Sequence, residues 1–108
     1  MEKFLLSSER THDFTIKATI QGQKVKGNFT CKYPSIQDTL QIDLETNQRI
    51  GGADLDSIYA STYELAYAIS YCETLLIDYP EWFNLDIIDD REVIYQVMLE
   101  IENFRLSV

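Results

Sequence analysis

HDFTIKATIQGQKVKGNFTCKY, residues 12–33, is the stretch that decides the fold. Phe14, Ile16, Ala18 and Ile20 alternate with Thr15, Lys17 and Thr19. Past Gln21-Gly22-Gln23, the residues Val25, Phe29, Cys31 and Tyr33 alternate with Lys24, Lys26, Asn28, Thr30 and Lys32. Successive side chains of a strand point to opposite faces, so each run predicts a half-buried strand. Gly22 supplies the positive φ that a tight turn demands. The stretch therefore predicts a β-hairpin over 12–33, with residues 1–11 as an N-terminal segment before it. Its polar face carries Lys17, Lys24, Lys26 and Lys32. Lysines there guard a two-stranded sheet against edge pairing; a basic binding face is the alternative.

After Pro34 the period changes. Ser35 followed by Asp38 has the form of a helix cap with an acid in the first turn. Ile36, Leu40 and Leu44 recur every four residues, which predicts a helix over about 35–48 and leaves a strand through Leu40, Ile42 and Leu44 as the rival. Arg49-Ile50-Gly51-Gly52-Ala53-Asp54 reads as a loop. STYELAYAISYCETLLID predicts a second helix over 61–78, capped by Ser61 or Thr62 and closed by Pro80. Asp89 with Glu92 three residues on marks the start of a third helix over 90–105. Its stripe is Val93, Val97, Ile101 and Phe104, widened by Ile94 and Met98. The fold class is thus α+β: an N-terminal β-hairpin followed by three α-helices packed as a small bundle, in one domain over 12–108. The expected core is Phe14, Ile16, Ile20, Val25, Phe29, Cys31, Leu65, Ile69, Val97 and Ile101.

At 108 residues the chain is one domain long. A hydrophobic fraction of 45% with 25% charged residues is a globular composition, able to fold without metal or disulfide staples. The net charge of -9 opposes phosphate backbones, so no nucleic-acid partner is expected. The charge is uneven: Lys3, Arg10, Lys17, Lys24, Lys26 and Lys32 precede residue 34, whereas only Arg49, Arg91 and Arg105 follow it among most of the acids. Such an acidic surface keeps a protein soluble, and it can also steer a basic partner. Cys31 and Cys72 are isolated on apolar positions, which predicts buried free thiols and a reducing, cytoplasmic compartment. No signal peptide or membrane span is expected.

Catalytic signals are missing from the pattern. His12 is the single histidine and has no Ser or Cys nucleophile beside it. Asp86, Asp89 and Asp90 lack calcium-loop spacing, and Gly51-Gly52 lies in no phosphate-binding frame. No enzyme activity, metal or cofactor is predicted. The tyrosines stand out instead. Tyr59, Tyr63, Tyr67 and Tyr71 fall four apart, and each step of four advances about 40° round a helix. Two readings stay open: the band completes the burial of an all-round apolar helix, or it is an exposed aromatic patch for a protein partner. Trp82 and Phe83, beside Pro80, admit the same two readings. The candidate partner-binding residues are therefore Tyr63, Tyr67, Tyr71, Trp82 and Phe83.

The order of these features is similar to that of the tail assembly chaperones of tailed bacteriophages. The resemblance is carried by Gly27-Asn28-Phe29-Thr30 in a hairpin strand, then Pro34-Ser35-Ile36-Gln37-Asp38 opening a helix. Arg49 with Gly51-Gly52 follows, then Glu64-Leu65-Ala66 with Ala68, Tyr79-Pro80-Glu81-Trp82-Phe83, and Glu92-Val93-Ile94-Tyr95-Gln96-Val97. It spans roughly residues 14–106 and rests on the order of the pieces, none of them a strict motif. It implies a protein that binds and solubilises the tape measure protein in the bacterial host cytoplasm during tail morphogenesis, self-associates as a homo-oligomer, and has no catalytic site. Two further classes fit the same residues: a structural or connector component of a virion or other assembly, and a small acidic regulatory binding module.

Overall fold

The computed structural model describes residues 10–51 and 59–107. The hairpin forms as its alternation predicts. Strands β1 (Thr11–Ile20) and β2 (Gln23–Lys32) pair antiparallel, with Phe14 opposite Phe29 and Lys17 opposite Lys26. The two-residue turn places both Gln21 (φ 51) and Gly22 (φ 80) in left-handed backbone, the twist that suits a tight hairpin. Glutamine seldom adopts that conformation. Here it is tied down from afar: its backbone N–H donates to Asp89 Oδ1 at 3.1 Å, and its side-chain amide donates to the Ile87 carbonyl at 3.1 Å.

Helix α1 (Ile36–Arg49) starts on a complete capping box. Ser35 Oγ accepts from the Asp38 N–H at 3.2 Å, and Asp38 Oδ2 accepts from the Ser35 N–H at 2.9 Å. Lys32 Nζ adds a 3.0 Å ion pair to Asp38 Oδ1 and so ties the end of β2 to the helix start. Burial alone would raise the Asp38 carboxyl; the Ser35 and Lys32 donors outweigh it and hold the group below its ordinary value.

Helix α2 (Ala60–Leu75) is shorter than the predicted 61–78. Leu76–Asp78 is not its last turn but a third strand, β3, antiparallel to β2 with a bulge between Thr30 and Cys31. Pro80 restricts only the residue before it. The earlier stop has another cause: β2 would otherwise leave its outer backbone groups unpaired, and Leu76 to Asp78 satisfy part of that edge. The sheet order is β1-β2-β3. Helix α3 (Arg91–Leu106) follows, capped by Asp90, whose side chain accepts from the Glu92 N–H at 3.0 Å. Two expected caps are displaced. Asp89 serves the hairpin turn instead, and α2 begins at Tyr59 without a side-chain cap, so neither Ser61 nor Thr62 has that role.

Helix α2 packs between α1 and α3, and α3 rests on β1. Phe14, Ile16, Ile20, Phe29, Cys31, Val97 and Ile101 are buried as expected. Val25, Leu65 and Ile69 are only half-buried. On α2 the core is instead Ala66, Ala68, Ser70, Tyr71, Cys72 and Leu75, which nearly ring the helix. Phe29 is the hub. It stacks on Phe14 at 5.3 Å and receives the edges of Trp82 at 5.7 Å and Phe83 at 5.3 Å. His12 is not a free surface residue: it stacks against Phe104 at 5.1 Å and Phe14 at 5.9 Å. Half of the loop predicted at 49–54, residues 52–54, lies outside the described residues; Arg49 closes α1, and Ile50 and Gly51 turn away from it.

Candidate functional site

The five aromatic candidates separate into two groups. Tyr71 is 2% exposed, its ring 6.0 Å from that of Tyr67, and its hydroxyl is buried with no hydrogen-bond partner in range. Burial, and then the nearby Glu102 carboxylate, push this phenol well above its ordinary value. Tyr67 is half-buried and raised for the same reasons, burial first and then Glu102 and Asp43. Tyr63 is half-buried one turn earlier. Trp82 and Phe83 lie elsewhere, on the sheet. Trp82 Nε1 donates to the Lys26 carbonyl at 3.3 Å, and both rings close over Phe29. A Cβ on Gly27 would stand 2.8 Å from Pro80 Cβ and 3.0 Å from Trp82 Cζ2, so the bare glycine lets this segment seat on the strand. These rings anchor packing, and they do not form one patch.

One exposed apolar ridge lies on α1. Ile36, Leu40 and Leu44 are 82%, 57% and 52% exposed and run along the side of α1 that faces away from α2. They are the residues whose spacing predicts the helix. The side of α1 that faces the domain is Ile42 and Thr46, with a polar seam to α2 around them. Arg49 Nε donates to Ser70 Oγ at 3.1 Å and its guanidinium pairs with Glu73. Thr74 Oγ1 donates to Glu45 Oε2 at 3.3 Å. Thr46 and Ser70, both buried, return their hydroxyl protons to the carbonyls of Ile42 and Ala66 at 2.7 and 2.9 Å. The period of four revealed the helix, but it could not say which side faced water. The signal that could have done so is the polar set Thr46, Arg49, Ser70, Glu73 and Thr74 at matching helical spacings.

A groove of about 650 Å³ opens beside α2, where the start of α3 and residues 79–86 close round it. Ile69, Leu76, Phe83 and Ile94 line it, with the carboxylates of Glu73, Glu81 and Asp86 among its walls. Among the described residues no three His, Cys, Asp or Glu side chains are grouped to hold a metal ion, and no helix is long and apolar enough to cross a membrane. Comparison of the chain with protein-family models, with curated proteins and with solved structures finds no match.

Proposed function

We infer that this chain is a binding protein of the tail assembly chaperone type, which shields apolar helical segments of a tape measure protein in the host cytoplasm until the tail tube assembles. One observation carries the reading: the ridge of Ile36, Leu40 and Leu44, open to solvent on a helix whose inner side is satisfied by polar contacts. Burying apolar surface is what a client helix needs, and an amphipathic helix laid along three residues at i, i+4 and i+8 finds a matching ridge. The chain's net charge of -9 keeps it dispersed while that ridge is empty.

The test is co-expression with a long, helix-rich tape measure protein. With the wild-type chain the client stays in the soluble fraction, and without the chain it pellets. Replacing Ile36, Leu40 and Leu44 together with Ser abolishes the rescue while leaving the isolated domain folded, its thermal midpoint lowered by no more than about 10 °C, because surface substitutions away from packed features change stability by at most about 0.5 kcal/mol each. A client that is soluble alone, or equally soluble with the triple variant, sinks the proposal. Recovery of the chain from purified particles would favour the structural-component reading instead.

A further inference from the structure

We propose that the groove between α2, the start of α3 and residues 79–86 is a docking site for a basic amphipathic segment of a partner protein. Such a segment has apolar residues along one side and lysine or arginine beside them. The inference rests on reading the chain as a protein-binding module, but not on the α1 ridge or on the identity of the client.

Three features of the groove select this occupant. Its volume of about 650 Å³ is in the range of working binding sites and accepts several side chains. Its floor is apolar, from Ile69, Leu76, Phe83 and Ile94, and so takes an apolar face. Among the described residues its walls hold carboxylates and no lysine or arginine. Arg49 engages Glu73, whereas Glu81 and Asp86 enter none of the ion pairs among the described residues. An anion is repelled there, and a neutral ligand leaves both carboxylates unmatched; a cation flanking an apolar side chain meets both demands.

The surroundings favour a chain over a small molecule. Tyr79 and Leu85, which also line the groove, are 53% and 43% exposed, so apolar surface continues past its mouth. The wall is also preformed. The Phe83 N–H donates to the Pro80 carbonyl at 3.0 Å, the Ile87 and Ile88 N–H groups both donate to the Asn84 carbonyl at 3.0 Å, and the Asp86 N–H donates to Asn84 Oδ1 at 2.9 Å. A rigid wall lowers the ordering cost of binding.

Calorimetric titration with a synthetic Leu/Lys peptide, its leucines at helical spacing, tests the proposal. Two controls accompany it: one of the same composition with the leucines dispersed, and one with Glu in place of Lys. The first peptide is expected to bind saturably, the dispersed peptide at least tenfold more weakly at the groove, and the Glu peptide not at all there. Glu81→Gln with Asp86→Asn should weaken the first peptide about tenfold and reduce its salt dependence. Leu85→Ser should weaken it comparably. All three residues are exposed, and circular dichroism confirms that each variant is folded. Leu99→Ser, at an exposed position of α3 outside both the groove and the α1 ridge, should leave the affinity unchanged. Equal binding of the dispersed peptide would reduce the effect to bulk charge attraction and overturn the proposal. So would indifference to the groove variants, or loss of binding in the Leu99 variant. A groove that docks the peptide in a chain that rescues no client would separate this inference from the function proposed above.

Discussion

Gly27→Ala is a small change with a large expected effect. The new methyl would lie 2.8 Å from Pro80 Cβ and 3.0 Å from Trp82 Cζ2, with Pro80 Cγ closer still. Pro80 cannot yield by rotating a side chain, because its ring is part of the backbone. Residues 79–83 must therefore lift from β2. Two contacts weaken as they do so: the Trp82 edge on Phe29 and the Trp82 Nε1 bond to the Lys26 carbonyl. An aromatic pair contributes about 0.5–1.5 kcal/mol beyond its area and a hydrogen bond about the same, so their loss costs about 1–3 kcal/mol. Against that, alanine restricts the unfolded chain and returns about 0.4–1 kcal/mol. The net loss of about 1–2 kcal/mol lowers the midpoint of a domain this size by about 5–15 °C. Thermal unfolding followed by circular dichroism gives the midpoint, and the emission of Trp82, the only tryptophan, reports whether the indole has moved. Pro80→Ala in the same chain should recover part of the loss by making room. A midpoint at or above wild type, with unchanged emission, would show that the segment does not seat on Gly27 as described.

Tyr71→Phe should stabilise the domain by about 1 kcal/mol, since it removes a buried hydroxyl left without a partner; a loss of similar size would show that Glu102 accepts its proton in solution. Asp38 has a lowered folded-state value, so its contribution is present above the unfolded value near 3.8 and is lost as pH falls through the folded one. Asp38→Asn should flatten that acid limb in midpoint-against-pH measurements and cost about 1 kcal/mol at neutral pH, and an unaltered acid limb would refute the assignment. Cys31, pushed up to about 11 by burial, and Cys72, raised further by the same cause, should resist alkylation at neutral pH until the domain opens; stoichiometric labelling of the folded protein would contradict their burial.

The hairpin was legible because two regularities agree. Alternation over residues 14–20 and 25–31 set the faces, and Gly22 between them fixed the turn and hence the register. The start of α1 was equally plain, since Ser35 and Asp38 satisfy each other locally. What the sequence hid depends on distant partners. Leu76 to Asp78 continue an apolar helical pattern and turn into a strand because β2 is there to receive them. Helix α2 is apolar on nearly every side, so periodicity could not choose between Leu65 and Ile69 on one side and Ala68, Tyr71 and Leu75 on another. The aromatic candidates failed to form one patch for a related reason. Tyrosines four apart advance round the helix, which carries Tyr71 into the core while Tyr63 stays at its margin. Trp82 and Phe83 were drawn to Phe29, a residue more than fifty positions earlier.

Helix α1 carries the strongest argument about function, because it departs from an ordinary surface helix: of its four apolar residues only Ile42 is buried. Such a helix turns its apolar stripe to the core and its polar residues to water. Here Thr46, Glu45 and Arg49 turn inward to a polar seam with Ser70, Glu73 and Thr74, while Ile36, Leu40 and Leu44 face out. Rotating α1 to bury its leucines would break the Arg49 contacts to Ser70 and Glu73 and the Thr74–Glu45 bond, and would bring the buried Ile42 out to water. The seam therefore holds the ridge open, and the ridge gives the isolated domain nothing in return. A surface maintained at that disadvantage is accounted for when the apolar residues are covered by something other than this domain. That is why the proposed function rests on Ile36, Leu40 and Leu44 and not on the tyrosines.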